Sequence, residues 1–194
     1  MELLCGLDEA GRGPLAGPVT AGAVILPKDF PFEILNDSKK LSEKKRNAAE
    51  LVIKEKACWG LGIVSHTLID EMNILKASMY AMELAFDELL KKLPEWLKVQ
   101  GIDEYSITCL ADGITTPNIN GVLVKCEPKA DAKYHEVMAA SIIAKVERDK
   151  IMCDMDKLYP EYGYAKHKGY PTKAHRAICH EKGPSPIQRL TFKY

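Results

Sequence analysis

One stretch, Val137-Met138-Ala139-Ala140-Ser141-Ile142-Ile143-Ala144, constrains this chain more than any other. It is apolar nearly all round. Helical spacing surrounds it from about Ala132 to Leu158, and Pro160 stops it. A helix without a polar face has to be buried, and its small residues let it press close to a sheet. The chain supplies that sheet. Residues 2–7 read as a short apolar strand, and Thr20 to Leu26 as a second, stopped by Pro27. Ala57 to Ser65 reads as a third, with Gly60 and Gly62 allowing close backbone approach. Tyr105 to Ala111 and Gly121 to Cys126 complete the set.

Helices fall between the strands. Asn36-Asp37-Ser38 is loop chemistry, after which Ser42 caps a helix to about Lys56. Thr67 to Lys92 is the longest helical stretch. Ile74, Ala77, Ala81, Leu84, Ala85 and Leu89 form its stripe, and Pro94 is expected to end it. A last short helix follows Thr172. Three early strands followed by alternating helices and strands predict an α/β or α+β sandwich on a mixed sheet. The 194 residues suit one domain, with 160–194 as a C-terminal helical and loop segment packed on it.

Composition narrows the classes. Hydrophobic residues make up 46% and charged residues 28%, which excludes wholesale disorder, collagen and coiled coil. No apolar run approaches the roughly 18 residues of a membrane span, and the start, MELLCGLDEAGRG, is no signal peptide. A cytoplasmic protein without a membrane partner is expected. The six cysteines contain no Cys-x-x-Cys pair, and Cys5, Cys58, Cys109 and Cys126, inside apolar strand-like runs, read as reduced core residues. Net charge is zero, but from Tyr162 onward there are seven Lys or Arg and one acid, Glu181. That +6 arm on a −6 body points to a polyanion, a solvated basic surface being the plainer alternative.

Four acids stand out. Asp8 and Glu9 lie where the first strand runs into a Gly-rich turn, and Asp112 holds the same place after the fourth strand. Asp131 begins the buried helix, where its charge also suits the helix dipole. Singly, Asp131 could be a plain N-cap and Asp112 a turn residue before Gly113. Together they put carboxylates at what could be one sheet edge, the donor set for a hard cation such as Mg²⁺. The turn Gly11-Arg12-Gly13-Pro14-Leu15-Ala16-Gly17 follows the first strand but matches a dinucleotide fingerprint poorly, since a strand and not a helix comes next. Its exposed backbone and Arg12 suit close approach of a nucleic acid. In His167-Lys168-Gly169-Tyr170-Pro171-Thr172, Tyr170 can lie on a sugar or base between cations, or pack on the core as a loop residue. None of the five histidines reads as a ligand.

Taken in order, these segments resemble ribonuclease HII over nearly the whole chain. The resemblance rests on Gly6 through Val19 and on Asp37-Ser38-Lys39-Lys40-Leu41-Ser42. It continues through Asn73 to Ser78, Ala139 to Asp149, His167 to Tyr170 and Gly183 to Ile187. It implies a ribonuclease H-like fold, a mixed five-stranded sheet flanked by helices. It implies an endonuclease using Mg²⁺ or Mn²⁺, two ions with substrate bound, on RNA–DNA hybrids and on ribonucleotides in duplex DNA. The cut would fall 5′ to the ribonucleotide, leaving 3′-hydroxyl and 5′-phosphate ends, with a role in ribonucleotide removal and DNA repair. The family's acidic ligands map onto Asp8, Glu9, Asp112 and Asp131. Its ribose-sensing turn maps onto Gly11, Arg12 and Gly13, and its sugar-packing Tyr onto Tyr170. A monomer is expected. Ala130, Tyr134 to Met138, Pro171 and Gln188 depart from the family pattern without removing a ligand. Glu136 and Glu147 are further carboxylates, for which a solvated or structural role is the favoured reading. The competing readings are a nucleic-acid-binding protein with a lost active site and an oxidoreductase built on the Gly-rich turn.

Overall fold

A computed structural model describes residues 1–36 and 41–193. The Asp37-Ser38 loop reading and most of the segment Asp37 to Ser42 therefore lie outside the described residues. The strands are β1 (Glu2–Ala10), β2 (Val19–Ile25), β3 (Cys58–Val64), β4 (Ser106–Asp112) and β5 (Leu123–Glu127). The helices are α1 (Glu43–Lys56), α2 (His66–Met72), α3 (Ile74–Gln100), α4 (His135–Leu158), α5 (Tyr164–His167) and α6 (Lys173–Lys182). One five-stranded sheet has the order β3-β2-β1-β4-β5. β1, β2 and β3 pair antiparallel, while β4 and β5 are parallel to β1 and to each other. This is the mixed, helix-flanked sheet that the strand and helix pattern predicted.

Two helices cover the sheet. α3 packs its Ala77-Ala81-Ala85-Leu89 face on one side, in a core with Leu7, Val19, Ala21 and Cys109. α4 covers the other, where Ala139, Ala140, Ile142 and Ile143 meet Val24, Phe30 and Ile53. Both contacts are backbone to backbone. A Cβ added to Gly22 would lie 2.4 Å from the Ala140 carbonyl oxygen, and one on Gly62 would lie 1.9 Å from that of Ala81. The buried small-residue helix thus lies directly on glycine in the strands.

Four boundaries differ from the sequence reading, each for a local reason. β1 does not end at residue 7. It continues because Asp8, Glu9 and Ala10 pair with Gly22, Ala21 and Thr20 of β2, so the two acids belong to the strand and not to a turn. The long helix is interrupted at Asn73, whose φ of 72° breaks it and whose Oδ1 accepts from Leu75 N (3.0 Å) and Lys76 N (3.1 Å). Pro94 does not end α3. It sits on the exposed face, while Leu89, Leu93 and Leu97 carry the buried stripe past it to Gln100. α4 begins at His135, and Asp131 occupies a separate 3₁₀ turn, Ala130–Ala132. The caps at Ser42 and Thr172 stand where the sequence placed them, accepting from Lys45 N (3.4 Å) and His175 N (3.2 Å). All six cysteines are free.

Replacing Gly62 by Ala would force its methyl into the α3 backbone, which has no side chain to move aside. Gly62→Ala is expected to destabilise the protein by about 3 kcal/mol, at the upper end for overpacking. A melting-temperature fall of roughly 6–12 °C in a thermal scan is the check.

Candidate active site

The site grows out of the parallel β1–β4 pair. Their register runs from Glu2↔Ser106 to Leu7↔Ala111, so the next residue on each strand is an acid, Asp8 and Asp112. Carboxyl ends of parallel strands are where α/β sheets collect ligands. Asp112 Oδ1 accepts from Ala130 N (2.8 Å), which pins the 3₁₀ turn carrying Asp131 against the strand end. One carboxylate oxygen each from Asp8, Asp112 and Asp131 lie within 4.8 Å of one another. Asp8 and Asp131 are each 5% exposed.

Like charges crowded against a buried carboxyl oppose its ionisation. Burial, then the charges of Glu9 and Asp112, push Asp8 well above the usual carboxylate range, although Ser141 and the Glu9 N–H bond to it. Glu9 stands outside this triad. Burial raises its carboxyl, and Arg12, at 3.2 Å, draws it back down. Glu9 still feels the charge of Asp112, so it flanks the cluster. An oxygen-only cluster whose buried Asp8 resists ionisation is a donor set that a hard divalent cation would satisfy.

Beside the acids, Gly11 turns with a φ of 99°, and a Cβ there would lie 2.1 Å from Arg148 Nε. Arg12 extends outward with half its side chain exposed. A Cβ on Gly13 would lie 3.7 Å from the Tyr170 ring, so the Gly-Arg-Gly turn and Tyr170 form two sides of one groove. Tyr170 is 40% exposed, with Lys145 Nζ 5.8 Å and the Arg148 guanidinium 5.9 Å from its ring centre.

Two arginines that sequence reasoning did not single out fix this groove. Arg148 of α4 donates to the carbonyls of Pro18 (2.9 Å), Lys168 (2.9 Å) and Ala16 (3.1 Å). Arg189 donates to Gly17 (2.9 Å), Arg12 (3.2 Å), Gly11 (2.7 Å) and Pro18 (3.0 Å). Both are fully buried, and desolvation pulls them down to about 10 and about 9. Helical periodicity carried a signal for Arg148, which lies one turn beyond Ala144 and two beyond Ser141 on the buried face. Arg189, in an irregular segment, carried none.

The two further carboxylates lie elsewhere. Glu147 joins Glu50, Lys54 and Lys150 in an ion-pair network between α1 and α4. Burial opposes its charge, but hydrogen bonds with Glu50, Lys54 and Lys150 hold it at about 2. Glu136 lines a cleft with Met1, Leu4 and Gln100, at the opposite end of β1 from Asp8. After the Gly-Arg-Gly turn the chain enters β2 and not a helix, so the turn does not open a dinucleotide-binding unit.

Comparison with known proteins agrees with this arrangement. The family model for ribonuclease HII matches residues 5–194. A ribonuclease HII from Treponema denticola is 51% identical over 193 residues, covering 98% of both chains. Among solved structures, ribonuclease H2 from Pyrococcus horikoshii superposes with a TM-score of 0.70 at 25% identity, over 98% of this chain and 94% of that one. Bst ribonuclease HIII in complex with Mn²⁺ superposes with a TM-score of 0.68 at 18% identity, over 98% of this chain and 67% of that one. The sequence match spans strands, acids, turn and basic arm together, and the chain therefore belongs to the ribonuclease HII family of ribonuclease H endonucleases.

Proposed function

We propose that this endonuclease depends on Mg²⁺ or Mn²⁺, hydrolyses RNA in RNA–DNA hybrids and cuts 5′ to ribonucleotides embedded in duplex DNA. The products carry 3′-hydroxyl and 5′-phosphate ends. The observation that carries the reading is the Asp8-Asp112-Asp131 cluster opening beside the Gly13–Tyr170 groove. A Mn²⁺ complex of a protein with the same fold supports a divalent ion there. Asp8, Asp112 and Asp131 would hold it, with Glu9 completing the negative rim. When bound, a divalent ion supplies Lewis-acid stabilisation of phosphate charge and eases deprotonation of water.

The chain's own residues do the rest. Asp112 keeps the Asp131 turn in place through Ala130 N, so the carboxylates converge before any ion arrives. Arg12, held by Glu9, presents its guanidinium to a phosphate at the groove mouth. Gly13 leaves backbone uncovered where the 2′-hydroxyl must be told from hydrogen, and the buried Gly11 sets the turn that presents it. The Tyr170 ring lies across the groove, where it can cover the following deoxyribose. Lys166, Lys173 and Arg176, all exposed on the C-terminal arm, add sequence-independent phosphate contacts.

Neutralising a ligand should separate chemistry from folding. Asp112→Asn is expected to lower cleavage of a duplex with one embedded ribonucleotide by about 10²-fold or more in saturating Mg²⁺, because charge stabilisation by the ion is lost with it. Single-turnover rates decide this, and activity within a few-fold of wild type would remove Asp112 from the ligand set.

Asp8→Asn should do the reverse to the metal-free fold. The folded value of Asp8 lies above its unfolded value, so ionising it costs stability as pH rises through the ordinary carboxylate range. The variant should therefore melt roughly 2–4 °C higher than wild type at neutral pH in EDTA, about 1 kcal/mol for a chain of this size. The gap should close below the ordinary Asp value of about 3.9, where wild type is protonated too. A neutral-pH melting point below that of wild type would refute the repulsion argument.

Tyr170→Ala tests discrimination. Removing the ring is expected to lower cleavage at a single embedded ribonucleotide by roughly tenfold, the worth of one sugar- or base-stacking contact. Metal affinity, measured by titration, should stay unchanged. Equal cutting rates would take Tyr170 out of the groove.

A further inference from the structure

The Tyr170 turn rests on a stacked pair of histidines. His167 and His175 lie with ring centres 4.4 Å apart and planes at 14°. Tyr164 meets both rings edge-on, at 5.7 Å and 5.6 Å, and is itself bonded to Ser185. The neighbours dictate where each proton sits. His167 Nε2 faces the Tyr162 carbonyl at 2.8 Å and must donate to it, while His167 Nδ1 accepts from Gly169 N at 3.2 Å and must be bare. His175 Nδ1 faces the Tyr170 carbonyl at 3.0 Å and must donate. His175 Nε2 is buried and completes no hydrogen bond. The Gln188 amide lies against His175, its Oε1 taken by the Cys179 thiol at 3.7 Å and its Nε2 likewise unbonded.

From this geometry we infer that His167 and His175 are positioning residues, which in their neutral and opposite tautomers hold the Gly169-Tyr170 turn and thereby aim Tyr170 at the sugar. The inference rests on the proposed role of Tyr170 and extends it to the groups beneath. A proton on His167 Nδ1 would meet the Gly169 N–H head-on. A proton on His175 Nε2 would be buried against the unbonded Gln188 amide nitrogen, and protonating both rings would stack one cation on the other. Either event loosens a turn whose Gly169 carbonyl accepts from Leu15 N (2.8 Å), so the disturbance reaches the Gly-rich loop.

The charged and titratable groups around the pair do not offset this. Asp156 of α4 faces His167 and favours its proton, Lys168 of the turn opposes it, and hydrogen bonding by the Gly169 backbone and the Gln188 amide favours a proton on His175 without outweighing its burial. Burial holds both imidazoles below their ordinary value. The neutral pair is therefore secure at about pH 6.5 and above, and is lost only as pH falls further, through the lowered values of the folded rings.

The test has two arms on the full chain. Long-range ¹⁵N NMR at pH 7.5 should show His167 as the Nε2–H tautomer and His175 as Nδ1–H, and an imidazolium or the opposite tautomer on either ring would overturn the inference. The second arm reads binding in EDTA between pH 5.5 and 8. The quantity is the ratio of affinities for a duplex with one ribonucleotide and the same duplex all in DNA, so that protonation of the site acids acts on both alike. Wild type should lose about tenfold of this ratio towards pH 5.5, the cost of one buried hydrogen-bonding group left unpaired. His175→Asn keeps a donor for the Tyr170 carbonyl but cannot titrate, and with only His167 left to take a proton it should show a clearly smaller acid loss than wild type. His175→Phe, which keeps the ring but not the donor, should have the low ratio at every pH. An acid limb of wild-type size in His175→Asn would overturn the inference alone. A Tyr170→Ala protein with the wild-type ratio would overturn it together with the reading of Tyr170.

Discussion

Two guanidinium groups buried among backbone carbonyls hold the working parts of this molecule in relation to one another. Arg148 comes from the helix on the sheet, Arg189 from the irregular C-terminal segment, and both donate only to carbonyls of the Gly-rich loop and the Tyr170 turn. Buried charge is costly unless its hydrogen bonds are filled, and here backbone oxygen fills them. The arrangement leaves no slack. A guanidinium is rigid and planar, so fixing its donors fixes the carbonyls, and through them the path from Gly11 to Pro18. Loss of either arginine would strand several carbonyls at once.

The acids depend on a different constraint, the parallel register of β1 and β4. A slip of one residue would turn Asp8 to the other face of the sheet. The register is protected because the helix on that face rests on glycine backbone, at distances that admit no side chain. The chain thus uses its flattest contact to secure its most strained electrostatics, and the cluster stays together although each carboxylate disfavours the next.

Much of this was legible in the sequence. The all-apolar octet around Ala139 announced a helix buried on a sheet, and adjacent acids at strand ends announced an oxygen-rich site. What was hidden followed from tertiary context. Pro94 punctuates most helices, but Leu93 and Leu97 bury enough surface to carry α3 past it. Asp8 and Glu9 looked like turn residues because acids disfavour strands, yet pairing with β2 overrides that preference. Asp131 lies outside α4 because Tyr134, with φ −114° and ψ 126°, is extended and separates the 3₁₀ turn from the helix. Arg148 and Arg189 were unread because a basic residue near a polyanion site invites a surface interpretation. Their partners, backbone carbonyls, leave no mark in composition.

The bond from Arg189 to the Gly11 carbonyl joins residues 178 positions apart. Such a contact closes late, since the whole intervening chain must first be in place. During synthesis from the N-terminus the strands bearing Asp8 and Asp112 emerge long before Arg189 does. A nascent chain can therefore assemble its carboxylates while the Gly-rich loop beside them is still unfixed. The set of that loop is the last feature the molecule acquires, and the first it would lose if the segment bearing Arg189 frayed.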